Sequence, residues 1–339
     1  MRPLPPQGSA LSPELRAPGD PSLRGRSLAA VPLYLSEADV TSLIKPAEAL
    51  PVLEECFRRM ADGEVENVPR RRLAVPGGFL AVMASADVEL GFAGQKSYAV
   101  VNGIASFVVC LFSLDDGSLA AVIEADRLGQ VRTGAASGVA AAHLARDGAA
   151  TLGVIGCGAQ AATQVEAIRA AVPTIGRTVA WCRTPESLVD FCARTDAEPA
   201  ESSQDVAACD IVITITSAKD PVLRGEWLRE GALVCAVGAN RPRARELDNV
   251  VLERAAFVCC DSKENARLES GDLIDPVEAG VLDWLEVHEL QEVVAGSVVG
   301  RQDVTDIVVF KSNGLAAWDV AIGAEVLRRA RELGVGREL

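Results

Sequence analysis

Several residue types are scarce in this chain of 339 residues, and each scarcity narrows the chemistry. Histidine occurs twice, at His143 and His288, and the nine cysteines contain no C-x-x-C pair, so we expect no metal site. The longest apolar run, residues 103–114, is shorter than the about 18 residues that span a bilayer and is better explained as a buried strand. Together with the net charge considered next, these absences favour a protein that acts on a small molecule.

Acidic residues outnumber basic ones, 47 against 33, which leaves a net charge of −14. This charge repels phosphate backbones and anionic lipid, so the sequence predicts neither a nucleic-acid partner nor a membrane partner. The odd number of cysteines, mostly inside apolar runs, indicates reduced thiols and a cytoplasmic protein. The first thirty residues contain six prolines and lack the apolar core of a secretory signal, so we predict a disordered tail over residues 1–30.

The rest of the chain divides into two patterns. Over residues 31–129 a helix begins after Ser36, a second helix covers Pro51 to Met60, and short apolar segments between Arg72 and Glu124 predict an antiparallel meander. From residue 130 to 311, strands alternate with helices, which is typical of a doubly wound parallel sheet. Six strands are predicted there: Thr151–Ile155, Thr178–Trp181, Asp210–Thr216, Leu233–Val237, Phe257–Cys260 and Ile307–Phe310.

The last segment, residues 312–339, has apolar residues three or four apart between Gly314 and Leu333, which places them along one face of a helix. We expect this helix to pack back onto the first domain. The predicted organisation is therefore a tail, an α+β domain over 31–129, a Rossmann domain over 130–311 and a returning helix over 312–339.

A glycine-rich turn follows the first strand of the parallel pattern. Gly156 permits a tight turn, Gly158 allows the backbone to approach a pyrophosphate, and Ala161 is small enough for close packing of the helix that follows. The alternative is a glycine turn without a ligand. The order strand, turn, helix favours a dinucleotide site, and we expect the contacts to include Ala159 and Gln160.

The second strand ends without the carboxylate that would bind the ribose 2′-hydroxyl of NAD. The chain has Arg183 and Thr184 there, and a guanidinium suits a 2′-phosphate, so NADPH is predicted in preference to NADH. The alternative is that Arg183 is only solvated. The remaining cofactor residues that we expect are Thr133, Thr216, Ser217, Val237, Gly238 and Ser312.

Lysine is another scarce residue, with five copies against 28 arginines, and Lys96 is embedded between apolar segments. A partly desolvated lysine has a lowered pKa and can exchange a proton with an imine nitrogen, which arginine cannot do. The alternative is a lysine that extends to solvent at a strand edge. Lys96 is our first catalytic candidate.

Two arginine sites accompany Lys96. Arg132 could hold a substrate carboxylate with its planar fork. In the triplet Arg70-Arg71-Arg72, strand alternation places Arg70 and Arg72 on one face and Arg71 on the other. A solvated basic edge is the alternative for the triplet. We expect substrate contacts at Arg70, Arg72, Arg132 and Met83.

These residues resemble a known family, the ornithine cyclodeaminase/mu-crystallin family, which includes imino-acid reductases and some alanine dehydrogenases. The resemblance extends from about Tyr34 to the end of the chain. The motifs that carry it are Tyr34-Leu-Ser-Glu-Ala-Asp, Pro69-Arg70, Gly94-x-Lys96, Arg132-Thr133 before small residues, the Gly156 fingerprint, Glu246-Leu-Asp248 and Phe310-Lys-Ser-x-Gly314.

The resemblance implies a fold of the α/β class, with a Rossmann doubly wound parallel sheet inserted in an α+β domain that binds substrate and forms a homodimer. It also implies that Arg70 and Arg132 clamp the substrate carboxylate and that Lys96 faces the substrate nitrogen. Of these residues Arg70 is the one whose neighbours could take its role.

One departure from the family pattern separates the possible activities. Where cyclodeaminases carry an aspartate after the fourth Rossmann strand, this chain has Asn240, and a neutral amide cannot act as the base that deamination of ornithine needs. Asn240 can still orient a preformed imine by hydrogen bonding, which makes it our second catalytic candidate. The alternative is a turn residue that tolerates an unusual backbone conformation.

The sequence therefore predicts an NAD(P)H-dependent reductase of a small cyclic imino acid of the Δ1-pyrroline-2-carboxylate or Δ1-piperideine-2-carboxylate type, giving proline or pipecolate. Three alternatives stay open: an ornithine cyclodeaminase, an amino-acid or opine-type dehydrogenase, and a cofactor-binding protein without turnover. The expected partner is a small imino or amino acid.

Overall fold

A computed structural model describes residues 31–339, and the tail predicted over residues 1–30 lies outside this part of the chain. The chain begins with an α+β layer. Its elements are β1 (Leu33–Leu35), α1 (Glu37–Leu43), α2 (Pro46–Ala61), β2 (Val65–Val75), β3 (Gly78–Asp87), β4 (Phe92–Val101), β5 (Ile104–Ser113) and β6 (Leu119–Glu124). Strands β2 to β6 pair antiparallel in sequence order, which confirms the predicted meander.

The second sheet is parallel throughout. Its region contains α3 (Asp126–Leu144), β7 (Thr151–Ile155), α4 (Ala161–Ala171), β8 (Arg177–Trp181), α5 (Pro185–Thr195), β9 (Glu198–Pro199), α6 (Ser203–Ala207), β10 (Ile211–Thr214), β11 (Leu233–Ala236), α7 (Asn249–Arg254), β12 (Ala255–Cys260), α8 (Lys263–Glu269), α9 (Gly271–Glu278), β13 (Val287–Glu289), α10 (Leu290–Val294) and β14 (Ile307–Lys311). The strand order is β13-β12-β14-β11-β10-β7-β8-β9. All six predicted strands occur in this doubly wound sheet, and the short strands β9 and β13 extend its edges.

The chain ends with α11 (Ala316–Leu333) and β15 (Arg337–Glu338). Helix α11 packs against β3, β4 and α2, as the sequence predicts. Trp318 of α11 is fully buried and meets Phe57 of α2 edge to face, with the ring centroids 5.6 Å apart. Strand β15 then pairs with β1, and β1 pairs with β6, so the two ends of the described chain extend the antiparallel sheet.

Several element bounds differ from the sequence prediction, among them those of α2 and of β4, for which the apolar pattern predicts a strand from Tyr98 to Val101. Helix α2 begins at Pro46 rather than Pro51, because the fixed φ of proline suits the first helical position. Strand β4 begins at Phe92 rather than Tyr98, which places Lys96 inside the strand. Helix α1 begins after Ser36, as predicted, and Ser36 caps it, because its side chain accepts from the Asp39 amide.

Helix α3 joins the two sheets and contains the position where the sequence places a domain boundary. The boundary between residues 129 and 130 falls inside this helix, which is buried along most of its length. Its small residues allow close packing: a Cβ at Gly134 would lie 2.4 Å from the Thr163 carbonyl oxygen of α4. A cut at residue 130 would therefore divide one helix, and the division into domains stays a prediction.

The core side chains form two clusters that follow this arrangement. One cluster joins the helices α2, α3 and α11 to both sheets, and the other lies on the opposite face of the parallel sheet. Within residues 31–339, no helix is long and apolar enough to cross a membrane.

Candidate active site

A cavity of about 240 Å³ lies where the carboxyl ends of the parallel strands meet the inner face of the antiparallel sheet. Strands β2 to β5, helix α3 and the loops after β7, β11 and β14 contribute its walls. Ten of the predicted site residues line it: Arg70, Arg72, Met83, Lys96, Arg132, Thr133, Gln160, Val237, Asn240 and Ser312. The structure therefore brings the predicted substrate residues and part of the predicted cofactor residues into one place.

Lys96 lies in the middle of β4, paired in register with Met83 of β3 and Val109 of β5. It is 3% exposed, so the interpretation of a lysine that extends to solvent is wrong. Its Nζ donates to Asp319 Oδ1 at 2.9 Å, and a Cβ at Gly129 would lie 2.8 Å from that Nζ. Burial lowers the pKa of Lys96 to about 8, despite the opposing effect of Asp319.

Arg132 of α3 shares the carboxylate of Asp319, with Nε 3.4 Å from Oδ1. Its guanidinium lies 5.7 Å from the centre of the Trp318 ring, and Gly314 at φ +84° leaves room for it. A Cβ at Gly314 would lie 2.6 Å from Nη1. Neither Nη atom makes a hydrogen bond to the described residues, so the fork is available to a ligand carboxylate.

Arg70 and Arg72 both face inward. A bulge between Val68 and Arg71 changes which residues of β2 face the cavity, so that Arg70 and Arg72 point inward and Arg71 points outward. Both bind Glu269 at the end of α8: Arg70 Nη1 lies 2.7 Å from Oε1, and Arg72 Nη1 lies 2.9 Å from Oε2. The solvated-edge interpretation is therefore wrong for this pair and fits the exposed Arg71 alone.

The Nη2 atoms of this pair also have protein partners. Arg70 Nη2 donates to the Asn313 carbonyl at 3.0 Å, and Arg72 Nη2 donates to the Asn240 carbonyl at 3.0 Å. Both arginines line the cavity but are held by the protein itself, which separates them from Arg132.

Asn240 lies in the loop after β11, at the cavity wall. Its side-chain oxygen is 3.4 Å from Arg72 Nη2. Within residues 31–339, the non-glycine residues with positive φ are Asn102 and Asp196, so Asn240 does not serve an unusual backbone conformation. The turn-residue alternative is wrong on this point, and the amide is oriented toward the site by Arg72.

The glycine loop after β7 has the geometry that a dinucleotide requires. Gly156 has φ +113°, and a Cβ there would lie 2.4 Å from the Ile215 carbonyl oxygen. Gly158 has open space around its Cβ position, and Gln160 provides no side-chain cap to the amino end of α4. The backbone N–H groups of this turn can therefore meet phosphate oxygens. Ala161 begins α4 fully buried, and Ala159 is exposed on the loop.

The loop after β8 presents Arg183 and Thr184 to solvent. Gly156 N donates to the Trp181 carbonyl at 2.9 Å, which holds this loop beside the glycine turn. Arg183 has no ion pair or side-chain hydrogen bond among the residues that the structure describes. The two interpretations of Arg183, a partner for a 2′-phosphate and a solvated side chain, therefore both stay predictions.

The buried carboxylate of Glu246, which the sequence analysis names in a motif without giving it a role, fixes two loops at the cavity. Glu246 Oε1 accepts from the Thr216 amide at 2.7 Å and from its hydroxyl at 2.9 Å, and Oε2 accepts from the Gly238 amide at 2.7 Å. Burial raises the pKa of Glu246, opposed by nearby Lys311. Ser217, in the same loop as Thr216, is exposed. The loops after β10 and β11 are therefore tied together at the cavity.

The loop after β14 is anchored in a similar way. Asp261 Oδ2 accepts from the Asn313 and Gly314 amides, each at 2.6 Å, and from the Ser312 hydroxyl at 3.1 Å. Lys311 is fully buried and pairs with Asp272 at 3.0 Å. These hydrogen bonds and the Lys311–Asp272 ion pair lie behind the cavity and hold the backbone that lines it in position.

Three further features of the site were missed. Asp319 and Glu269 hold the site cations, and an aromatic wall is formed by Phe79, Tyr98 and Phe107. Tyr98 stacks on Phe107 with centroids 5.2 Å apart. Asp319 gave one available signal, an acid among apolar positions of the last helix, whereas nothing local marks Glu269. Within residues 31–339 no group of three or more His, Cys, Asp or Glu side chains is arranged to hold a metal.

All nine cysteines are free, so none of them forms a disulfide at this site. Five are buried, as predicted, and Cys110, Cys157, Cys182 and Cys192 are half-buried.

Comparison with known proteins identifies the fold and the family. Residues 30–333 match the ornithine cyclodeaminase/mu-crystallin family. The chain is 36% identical to the Δ1-pyrroline-2-carboxylate reductase of Bacillus cereus over 254 residues, covering 73% of this chain and 75% of that protein.

Two solved structures have the same fold. The Δ1-pyrroline-2-carboxylate reductase of Thermococcus litoralis, in complex with NADH and L-proline, superposes with a TM-score of 0.86 at 31% identity and covers 91% of this chain and 100% of that chain. An archaeal alanine dehydrogenase dimer with bound NAD also gives a TM-score of 0.86, at 32% identity, covering 91% of this chain and 99% of that chain. The chain therefore belongs to the ornithine cyclodeaminase/mu-crystallin family and is an NAD(P)-dependent oxidoreductase that acts on carbon–nitrogen bonds.

Proposed function

We propose that the protein reduces a small cyclic imino acid, of the Δ1-pyrroline-2-carboxylate or Δ1-piperideine-2-carboxylate type, to the cyclic amino acid. The observation that carries the proposal is the convergence of Lys96 Nζ and Arg132 Nε on one carboxylate oxygen of Asp319, inside a small cavity beside the glycine loop. This arrangement offers a proton donor and a carboxylate receptor within one site.

Each residue has a role that follows from its free atoms. The unpartnered Nη atoms of Arg132 bind the substrate carboxylate, and Lys96 donates a proton to the substrate nitrogen. The nicotinamide cofactor, held by the glycine loop, would supply the hydride. Asn240, oriented by Arg72, hydrogen-bonds the substrate, and Met83 with the aromatic wall contacts its ring.

This proposal changes the role of Arg70. Its two Nη atoms bind Glu269 and main-chain carbonyls, so Arg70 shapes the cavity wall and Arg132 is the principal carboxylate receptor. The carboxylate clamp thus uses one arginine from α3 rather than a pair from two elements.

A neutral amide at residue 240 argues against cyclodeamination, because no base is available there to form and resolve the α-imine. A second candidate is an amino-acid dehydrogenase that acts on an open-chain keto acid and an amine, favoured by the similarity to the archaeal alanine dehydrogenase. A cavity of about 240 Å³ restricts either substrate to a small molecule.

We infer that NADPH is preferred and that the active species is a homodimer. The free guanidinium of Arg183 supports the first inference. The second is supported by exposed apolar side chains on the antiparallel sheet, among them Val68, Leu73, Val75, Ile104 and Phe112, since such patches mark contact surfaces. Light scattering after gel filtration would give a mass near that of one chain if the dimer inference is wrong.

The function is tested by nicotinamide absorbance with purified protein. Freshly generated pyrroline-2-carboxylate and piperideine-2-carboxylate are supplied with NADPH or NADH. Parallel wells receive pyruvate and ammonia with the same reduced cofactors, or L-ornithine with NAD. Consumption of NADPH with a cyclic imine is expected. Turnover with pyruvate and ammonia alone would establish the dehydrogenase, and ammonia release from ornithine without net absorbance change would establish the cyclodeaminase.

A further inference from the structure

The buried carboxylate of Asp319 is the starting point. It lies on α11, 1% exposed, and its Oδ1 is shared by Lys96 Nζ at 2.9 Å and Arg132 Nε at 3.4 Å. Its other oxygen, Oδ2, is buried and has no hydrogen-bond partner within residues 31–339. Burying a carboxylate that lacks part of its hydrogen bonds costs desolvation free energy. The ion pairs of Asp319 must compensate for that cost.

The groups that face Lys96 come from every surrounding element. Asp319 contributes a negative charge from α11, and Arg132 of α3 and Arg70 of β2 contribute positive charges. Met83 of β3 is its cross-strand neighbour, and the Phe107 ring of β5 lies 5.5 Å from Nζ.

Three other charged groups line or adjoin the same cavity. Asp126 and Arg241 lie on its wall, and Glu269 is occupied by Arg70 and Arg72. Of all these groups, Asp319 is the anion in direct contact with the Lys96 ammonium.

We propose that Asp319 is a positioning residue that keeps Lys96 protonated and aimed into the cavity, so that the amine can deliver its proton to the imine nitrogen. This inference depends on the proposed function, because it assigns Asp319 to the proton-transfer step of that same site. In the step, an N–H bond of Lys96 breaks and the proton bonds to the substrate nitrogen as hydride adds to the imine carbon. The neutral amine is reprotonated from water after the product leaves.

The electrostatics of Lys96 agree with this role. Burial lowers its pKa to about 8, and Arg132 and Arg70 act in the same direction, whereas Asp319 opposes them. Because a lysine donates only while protonated, the reaction rate falls as the pH rises through about 8. Removing the negative charge of Asp319 moves that loss of activity to lower pH.

The test uses the pH dependence of Lys96 in Asp319→Asn, which keeps the shape of the side chain and removes its charge. The alkaline limb of kcat/KM for the cyclic imine shifts down by about one to three pH units, the usual effect of an opposite charge within about 4–6 Å. Asp319→Glu retains the charge and returns the limb toward the wild-type position. A residue that merely supports the fold would lower the rate at every pH and leave the limb in place.

A second readout is independent of turnover. The chain has five lysines, so protein labelled with ¹⁵N in lysine gives few side-chain signals, and the Lys96 signal is identified by its loss in Lys96→Met. Titration of that signal in full-length protein reports the pKa directly. It is lower in Asp319→Asn than in wild type and higher in Arg132→Gln, because Arg132 acts in the opposite direction.

The outcomes separate this inference from the proposed function. A wild-type protein that reduces no cyclic imine overturns the proposed function, and the NMR titration then still decides whether Asp319 controls Lys96. An unchanged Lys96 titration in Asp319→Asn overturns the inference even if the reductase activity is present. If Asp319→Asn does not fold, Asp319→Ser, which also removes the charge, is titrated in its place, and an unchanged Lys96 titration in that variant overturns the inference.

Discussion

Two clusters of charge contribute side chains to the same cavity and differ in how many of their donor atoms have protein partners. In the first, Arg70 and Arg72 bind separate oxygens of Glu269, and their Nη2 atoms bind main-chain carbonyls. In the second, Lys96 and Arg132 share one oxygen of Asp319. We call these the Glu269 cluster and the Asp319 cluster.

The difference separates a structural role from a chemical one. The Glu269 cluster satisfies most of its donors internally, so it joins β2 to α8 and to the loops that line the cavity. In the Asp319 cluster the Nη atoms of Arg132 have no partner among the described residues, and burial lowers the pKa of Lys96 to about 8. These are the properties that binding and proton transfer need. Charge count alone would have assigned both clusters the same role.

The largest expected effect comes from removing the amine of the Asp319 cluster. Lys96→Met should lower kcat for cyclic imine reduction by about 10²–10⁴-fold, the usual contribution of a general acid. NADPH binding, measured by fluorescence titration, should be unchanged. Lys45→Met, at an exposed position, is the matched control and should retain activity. Joint loss of turnover and cofactor binding in Lys96→Met would mean that the residue is structural.

The next effect concerns the free arginine fork. Arg132→Gln should raise KM for the imine and lower kcat/KM by about 10- to 100-fold, since a hydrogen bond between charged groups contributes about 1.5–3 kcal/mol. Arg71→Gln, at the exposed member of the triplet, should change neither constant. Steady-state kinetics at pH 7 measures both. An unchanged KM in Arg132→Gln would transfer the carboxylate role to the Glu269 cluster and remove the contrast between the two clusters.

A smaller effect on activity, with a larger one on stability, is expected from the Glu269 cluster. Glu269→Gln leaves the buried guanidinium of Arg70 and the half-buried guanidinium of Arg72 without their anion, which should cost about 3–5 kcal/mol of unfolding free energy and lower kcat/KM less than Lys96→Met does. Urea unfolding followed by circular dichroism measures the first quantity. Glu264→Gln, exposed on the same helix, is the control. A stable Glu269→Gln protein with abolished turnover would show that this cluster is chemical as well.

The sequence could identify one partner of each ion pair but not the other. Lys96, Arg132 and the Gly156 loop are marked by local patterns, because burial between apolar segments and glycine spacing are visible over a few residues. Asp319 lies 223 residues from Lys96, and Glu269 lies 199 residues from Arg70. Only tertiary packing brings them together, so no local spacing could predict which arginine is neutralised.

The fold shows the same limit. The six predicted parallel strands are apolar runs with turns at both ends, and the alternation of strand and helix predicts their sheet. Strand β1 pairs with β6 and with β15, which are distant from it in sequence. Strands β1 and β15 have only three and two residues, so they are too short to carry a pattern. The predicted domain boundary falls inside α3, whose small residues carry little amphipathic signal, so the sequence pattern does not mark where this helix begins.

The smallest expected effect lies outside both clusters, at the loop that follows β8. Arg183→Gln should raise KM for NADPH about tenfold, near 1.4 kcal/mol, and leave KM for NADH unchanged, because only the 2′-phosphate would lose a partner and solvent screens an exposed charge. Arg194→Gln on α5 provides the exposed-arginine control. Equal effects on both cofactors would mean that Arg183 is only solvated. Because this change touches neither charge cluster, kcat with the preferred cofactor should stay at the wild-type value. That result would show that the difference between the two clusters concerns the substrate and not the recognition of the cofactor.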